Sequence, residues 1–225
     1  MLRSQMLEQL SDYIVKQACE HPLRVAIDGV DAAGKSRLVK ELLFPLRKHR
    51  RPIITISLDN FHHPRQYRYR RGEESPEGYY YDSFNYPAII ENVLKPLGPD
   101  GSRNYSTGVF DLTTNTDKNH PEERAEDNAI LLMDGIFMMR PELNGFWDLT
   151  IFLDISFETS IERAIQRDLT IMGSYEALQR RYQRRYIPGQ ELYLQLCHPK
   201  QRANVLIEND DFRNPVIYFQ RQVAG

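Results

Sequence analysis

Five short stretches of the chain are almost continuously apolar, and the segments between them repeat apolar residues every three or four positions. The apolar runs are 24–28, 52–58, 129–133, 149–153 and 203–207, each bounded by charged or turn residues. Strands that are apolar on both faces predict a parallel sheet covered on both sides. Helical periodicity covers 4–19, 35–50, 86–96, 157–168 and 175–196. In the first of these, Leu2, Met6, Leu7, Leu10 and Ile14 predict an amphipathic helix lying on the domain. The alternation predicts an α/β fold, a doubly wound parallel sheet with helices on both faces. Two stretches interrupt it. Residues 59–85 are rich in Arg, Tyr, Gly and Pro, and residues 98–128 are polar and loop-like with a strand-like piece near 107–112. Both are expected to form a flap at the carboxyl ends of the strands, where such folds carry function.

The first apolar run leads into Gly29-Val30-Asp31-Ala32-Ala33-Gly34-Lys35-Ser36, which fits the pattern G-x-x-x-x-G-K-[ST]. Glycines let a backbone wrap closely round an anion with its N–H groups turned inward. Strand, glycine-rich turn and helix N-terminus together make a phosphate site. In that arrangement Lys35 reaches the β- and γ-phosphates of a nucleotide, and the Ser36 hydroxyl takes a position on Mg²⁺. Asp134 ends the run 129–133, the position whose carboxylate completes such a metal site. Asp59 follows the run 52–58 directly and so belongs beside the phosphate loop. There it either takes a proton from an attacking hydroxyl or caps the next turn, and spacing alone does not separate the two. Arg163 and Arg167 lie four apart on one helical face and can neutralise phosphoryl charge, although composition alone reads them as a solvated face.

Composition narrows the function classes. The 225 residues carry 29 basic and 31 acidic side chains, with 27% charged and 41% hydrophobic. That balance suits one soluble domain and gives no general attraction to nucleic acid or membrane. Two clusters, 65–71 and 180–185, interleave Arg with Tyr as single-strand binders do, but the near-neutral chain gives that reading little support: the first sits in the expected flap, and the second falls on a helical pattern and reads as a solvated face. No apolar run approaches the roughly 18 residues of a membrane span, and residues 1–16 lack the apolar centre of a secretion signal. Cys19 and Cys197 form no paired motif, so they are expected to be reduced thiols in a cytoplasmic protein. The pair His62-His63 has no cysteine nearby and is not a metal motif, although His62 can reach a substrate. Asn115-Thr116-Asp117-Lys118 has the wrong order for the guanine-specificity motif Asn-Lys-x-Asp.

Four blocks resemble the uridine kinase family, within the wider uridine kinase and phosphoribulokinase group. They are Ala26 through Ser36; Ser57-Leu58-Asp59-Asn60-Phe61-His62; Met133-Asp134-Gly135-Ile136-Phe137; and Ile151-Phe152-Leu153-Asp154 with the helix ending Arg167-Asp168. A weaker fifth block, Pro199 to Ile207, is similar to the family's closing strand, so the likeness spans roughly residues 22–208. The resemblance implies a P-loop kinase-type fold with a flap at roughly 59–85 and 98–128 and a helical lid at roughly 169–186. It implies ATP-dependent phosphorylation of a small-molecule hydroxyl. Residues 29 through Arg37 would hold ATP, Ser36 and Asp134 would hold Mg²⁺, and Asp59 would be the catalytic base. Arg163 and Arg167 match positions in the family's lid region and would close over the phosphates with Lys35.

The acceptor pocket is then expected from His62, Tyr81, Asp82, Phe84, Asn85 and Phe110, with Tyr79 and Tyr80 beside them. Here the chain departs from the family. A segment that typically reads Phe-Asp-His-Pro is Phe84-Asn85-Tyr86-Pro87, so Asn85 replaces a carboxylate that holds ribose hydroxyls, with Asp82 close enough in sequence to substitute. A base-holding segment resembling Tyr-Asp-Phe-x-x-His-x-Arg is Phe110-Asp111-Leu112-Thr113-Thr114-Asn115-Thr116-Asp117. A site built to hydrogen-bond a substrate group loses discrimination when its partner goes. A nucleoside is the first expectation, with a sugar or vitamin acceptor as the alternative and a non-catalytic ATP-binding regulatory protein as the second. No nucleic-acid or membrane partner is expected, and a homo-oligomer remains open.

Overall fold

A computed structural model of the chain describes residues 1–17, 19–118, 120–172 and 174–220, the side chains of 168–172 excepted. Ala18 in the predicted first helix, Asn119 in the second insertion and Gly173 in the predicted lid lie outside the described residues. The chain runs α1 (Arg3–Val15), β1 (Leu23–Gly29), α2 (Lys35–Arg47) and β2 (Ile53–Ser57), then a 3₁₀ turn (Leu58–Phe61), α3 (Arg65–Arg68) and α4 (Pro76–Asp82). Next, α5 (Tyr86–Ile89) continues through a π-helical turn (Ile90–Leu94) to the short strands β3 (Asn104–Ser106), β4 (Phe110–Asp111), β5 (Thr116–Asp117) and β6 (Glu122–Arg124). The sequence closes with β7 (Ile130–Asp134), β8 (Leu149–Asp154), α6 (Phe157–Met172) and α7 (Tyr175–Arg181), followed by a second π-helical turn (Tyr182–Tyr186). After it come α8 (Ile187–Cys197), α9 (Pro199–Arg202), β9 (Val205–Glu208) and β10 (Val216–Phe219).

The main sheet has the order β10-β9-β8-β1-β7-β2. All its neighbours pair in parallel except β10, which runs antiparallel to β9. Side-chain alternation explains the continuous apolar runs. Along β7, Ile130 and Leu132 enter one core while Leu131 and Met133 enter the other. On the first face, Met6, Leu10 and Ile14 of α1 and Leu38, Leu42 and Leu46 of α2 cover the sheet. Burying each of these side chains stabilises the fold by roughly 1.5–3 kcal/mol. On the second face, Tyr80, Phe84, Ile89, Val93, Phe137 and Tyr193 meet Ala26, Ile56 and Phe152.

Several predicted elements need correction. The sheet is mixed rather than wholly parallel, because β10 adds an exposed edge with Val216, Tyr218 and Phe219 at 41–44% exposure. The residues of β10, Val216-Ile217-Tyr218-Phe219, form an apolar, β-prone run past the last of the predicted strands. The helix predicted over 4–19 ends at Val15, and Pro22 then holds its predecessor out of helical conformation before β1. The helix predicted over 175–196 is interrupted by the π-helical turn, after which Pro188 restarts it at the first turn of α8. The insertion at 59–85 is largely helical, while 98–128 builds two small sheets, β3-β6 and β4-β5. Both cysteines are free thiols, and no helix among the described residues is long and apolar enough to cross a membrane.

Register brings the candidate chemistry to one end of the sheet. Ile27 of β1 and Ser57 of β2 both stand opposite Asp134 of β7, and Gly29 stands opposite Leu153 of β8. The crevice outside the carboxyl ends of β1, β7 and β2 is therefore where the phosphate loop and both strand-end carboxylates meet.

Candidate active site

The loop between β1 and α2 is shaped by residues that glycine alone, or a strained backbone, can satisfy. Gly29 has φ +152°, and a Cβ there would lie 2.6 Å from the Leu153 carbonyl oxygen. Ala32 and Gly34 are left-handed, with φ 56° and 95°. This geometry leaves the N–H groups of Gly34, Lys35 and Ser36 without an acceptor among the described residues, at the N-terminus of a thirteen-residue helix. Such a cluster of N–H groups suits an anion. Four surrounding elements fix the loop from behind. Asn209 Nδ2 donates to Ala33 O at 2.7 Å, Ser160 Oγ donates to Asp31 O at 2.7 Å, and Asp31 N donates to Gln190 Oε1 at 2.6 Å. Tyr79 OH donates to Asp31 Oδ2 at 2.8 Å. The Lys35 ammonium lies across the loop, donating to Gly29 O at 3.0 Å and Val30 O at 2.8 Å. Burial pushes the Lys35 pKa down, and the charges of Asp31, Asp28, Asp134 and Asp59 oppose that shift.

Ser36 Oγ donates to Asp134 Oδ2 at 2.5 Å, so hydroxyl and carboxylate share one point beside the loop. Hard oxygen ligands gathered in this way fit a divalent cation such as Mg²⁺. Burial raises the Asp134 pKa, the Ser36 hydrogen bond and Lys35 lower it, and the like charge of Asp59 raises it again, with a net upward shift.

Asp59 sits in the 3₁₀ turn just after β2, where its N–H donates to Ser57 Oγ at 3.3 Å. Its side chain is 70% exposed, opening into the cleft, and His62 Nε2 stands 3.4 Å from Oδ1. His62 is held by Nδ1 against Ser83 O at 3.0 Å and by stacking on Phe84 at 4.4 Å between ring centroids. Confinement in the cleft pushes the Asp59 pKa up. The hydrogen bond and charge of His62, then Lys35 and Arg167, push it down further, so the carboxyl ends below its ordinary value. It is ionised at neutral pH, as a proton acceptor must be.

The cleft enclosing these groups has a volume of about 680 Å³. Of the residues named from sequence, Asp31, Ala32, Gly34, Lys35, Ser36, Arg37, Asp59, His62, Phe84, Asp134, Arg163 and Arg167 line it. The Arg163 guanidinium donates to Asn209 O at 2.8 Å and Asp210 O at 2.7 Å, which ties α6 to the loop after β9. Four expected acceptor contacts are not part of the lining. Asp82 is buried, paired with Arg70 at 2.6 Å and Arg71 at 2.8 Å. Burial raises its pKa, and the two arginines more than reverse the shift. Asn85 caps α5, its Oδ1 accepting from Ala88 N at 3.1 Å. Tyr81 is exposed outside the lining, and Phe110 is buried away from it. Helical spacing explains Tyr81: Tyr79 and Ser83, four residues apart, share the cleft face, which turns Tyr81 elsewhere. Asp82 is instead held by Arg70 and Arg71.

Sequence reasoning also passed over part of the wall. Arg68 and Tyr69, from the first basic-aromatic cluster, meet Tyr182, Arg185 and Tyr186, in and just beyond the second. Arg185 is 2% exposed and donates to the carbonyls of Gly72, Glu73, Ser75 and Arg68 at 3.1–3.2 Å. The repeated Arg-Tyr composition of the two clusters was the available signal. Their meeting across the cleft was not visible in either.

Beneath the loop, Asp28 accepts from Gly29 N at 2.7 Å and from the Tyr193 hydroxyl. Burial raises its pKa from 3.8 to about 6 despite those bonds. The folded state thus holds this proton more tightly than the unfolded chain. Stability linked to Asp28 is complete below about pH 4, and roughly 3 kcal/mol is lost as pH rises to about 6. Asp28→Asn removes that dependence. In urea denaturation the variant is expected to gain roughly 3 kcal/mol on the wild type between pH 4 and pH 7.5. An unchanged gap across that range would disprove the buried-charge account.

Comparison with known proteins gives a consistent family. The family model described as Phosphoribulokinase / Uridine kinase family matches residues 25–210. Uridine-cytidine kinase B of Dictyostelium discoideum is 26% identical over 196 residues, covering 84% of this chain and 75% of that protein. A protein described as a possible uridine kinase from Bacillus stearothermophilus superposes with a TM-score of 0.70 at 21% identity, covering 90% of this chain and 97% of that one. A protein assigned as a fructose transport system kinase from Silicibacter sp. TM1040 gives a TM-score of 0.70 at 19% identity, over 83% of this chain and 93% of that one.

Proposed function

Because this chain belongs to the phosphoribulokinase/uridine kinase family, we propose that it transfers the γ-phosphate of ATP to a hydroxyl of a small molecule. The observation that carries this reading is one cleft lined by Lys35, the Ser36–Asp134 pair and Asp59. The loop N–H groups and Lys35 hold the nucleotide's phosphates, with Arg37 at the mouth. Ser36 and Asp134 hold Mg²⁺, which when bound neutralises charge on the phosphate oxygens. Asp59 takes the proton from the acceptor hydroxyl as that oxygen bonds to the γ-phosphorus. The bond from phosphorus to the bridging oxygen breaks, and ADP leaves. Arg163 and Arg167 on α6 add positive charge beside the transferring group, and the adjoining helices act as a lid that excludes water.

Two acceptor classes are in play. The names of the relatives favour a nucleoside such as uridine or cytidine. A sugar or vitamin is favoured by the cleft itself, since Asp82 is locked between Arg70 and Arg71, Asn85 is spent on a helix cap, and Leu112 stands on the wall. The test is to offer the protein Mg·ATP with nucleosides, sugars and vitamins in parallel and to identify phosphorylated products by mass. A product from any class supports the kinase. ATP binding with no product from any class would instead support a regulatory protein.

A further inference from the structure

Arg68, Tyr69, Arg185 and Tyr186 line the cleft with Asp59, and among the described residues no Asn, Gln or Glu side chain does. Ser83 lines it too, but its hydroxyl proton is donated to Tyr79 O at 2.7 Å. The other lining carboxylates, Asp31 and Asp134, are committed to Tyr79 and Ser36, which leaves Asp59 as the remaining acidic group. Asp82, the carboxylate that sequence offers for binding hydroxyls, is 1% exposed and saturated by two arginines.

Positive charge, in contrast, is in excess there. The Tyr69 ring has the Arg185 guanidinium 4.6 Å from its centroid and those of Arg68 and Arg181 at 5.5 Å. The nearby carboxylates are engaged elsewhere, Glu73 by Arg65 and Glu74 by Arg180 and Arg184. The terminal nitrogens of Arg185 are used on backbone carbonyls. Arg68 differs: only its Nε is hydrogen-bonded, to His63 O at 2.8 Å, and its two terminal nitrogens have no protein acceptor among the described residues. A neutral polyol brings no charge to set against an unpaired guanidinium. A carboxylate or phosphate needs donors alone, and a half-buried guanidinium fork is well matched to it.

We infer that the phosphoryl acceptor carries an anionic group, a carboxylate or a phosphate, in addition to its reacting hydroxyl, and that Arg68 binds that group. The inference rests on the kinase reading and narrows its substrate. The nucleotide's own phosphates have Lys35, Arg37, Arg163 and Arg167, so Arg68 serves the other reactant.

Matched acceptors test this: glycerol against glycerate, ribose against ribose 5-phosphate, with uridine as a neutral control, each with Mg·ATP in an ADP-release assay. Turnover confined to anionic members supports the inference, and the pair that responds distinguishes carboxylate from phosphate. Arg68→Gln should then raise KM for that acceptor about 10- to 100-fold with KM for ATP unchanged, and Arg68→Lys should recover part of the loss. Neutral acceptors turning over as well as their anionic partners would overturn it, as would an acceptor KM indifferent to Arg68→Gln. Without turnover, calorimetric titration of the same compounds decides. Anion binding lost in Arg68→Gln upholds the anion site while the kinase reading falls. No anion binding overturns the inference itself.

Discussion

Replacing Asp59 by Asn is expected to lower kcat with the true acceptor about 10²- to 10⁴-fold, the range of a lost general base, while ATP affinity stays nearly constant. The substitution keeps size and shape at a side chain 70% open to the cleft, so folding is not at stake. What it removes is the ability to accept a proton. His62 stays in place in the variant, its Nδ1 donating to the Ser83 carbonyl at 3.0 Å and its Nε2 beside residue 59. Asp59 also raises the pKa of Asp134 and Asp31 by like-charge repulsion, so the Asn variant relieves the metal and phosphate groups instead of harming them. Because the Asp59 carboxyl lies below its ordinary pKa, its protonation is expected to add no acid limb to wild-type kcat/KM near neutral pH. Measuring kcat beside equilibrium ATP binding separates the two effects. Turnover within tenfold of wild type would remove Asp59 from the reaction.

The elements legible in the sequence were those whose surroundings leave one chemical choice. β7 is apolar at every position before Asp134 because its two faces enter two cores, so its run of Ile, Leu and Met had one reading. The loop at Gly29–Ser36 was equally constrained, since a Cβ at Gly29 would collide with the Leu153 carbonyl. Asp59 and Asp134 followed from the strand ends. The Arg-Tyr wall of the cleft was illegible for a different reason. Arg185 is anchored by backbone carbonyls, which every sequence has, so nothing in its neighbours distinguishes a buried arginine from a solvated one. The pairing of Asp82 was not legible because its partners, Arg70 and Arg71, lie a helix and a turn earlier in the chain. β10 is different: Val216-Ile217-Tyr218-Phe219 is a visible apolar, β-prone run, and what its residues do not show is its antiparallel place at the sheet edge.

Lys35→Met is expected to lower kcat about 10²- to 10³-fold, comparable to removing a preorganised donor from a developing charge, and to weaken ATP binding as well. The ammonium has two tasks, and the variant loses both. In the protein itself it is the cation shared by Asp31, Asp28, Asp134 and Asp59, each of which opposes the downward shift of its pKa. Without it, the upward shifts of Asp31 and Asp134 grow, because the largest charge lowering them is gone from Asp31 and a substantial one from Asp134. The lost stability is then present at low pH, where those carboxyls are protonated in both states, and missing at neutral pH. The Gly29 and Val30 carbonyls also lose their donor, at 3.0 and 2.8 Å, which loosens the loop that must stay wrapped round the phosphates. Lys35→Arg separates charge from shape. It keeps the charge, but a planar fork cannot replace a compact ammonium set between two carbonyls of one tight loop, so transfer should remain impaired while the pH dependence of stability returns towards wild type. Single-turnover rates at saturating acceptor, with urea denaturation at pH 4 and pH 7.5, read the two tasks independently. A Lys35→Met enzyme that transfers phosphate within tenfold of wild type would mean that the loop N–H groups alone stabilise the transferring charge.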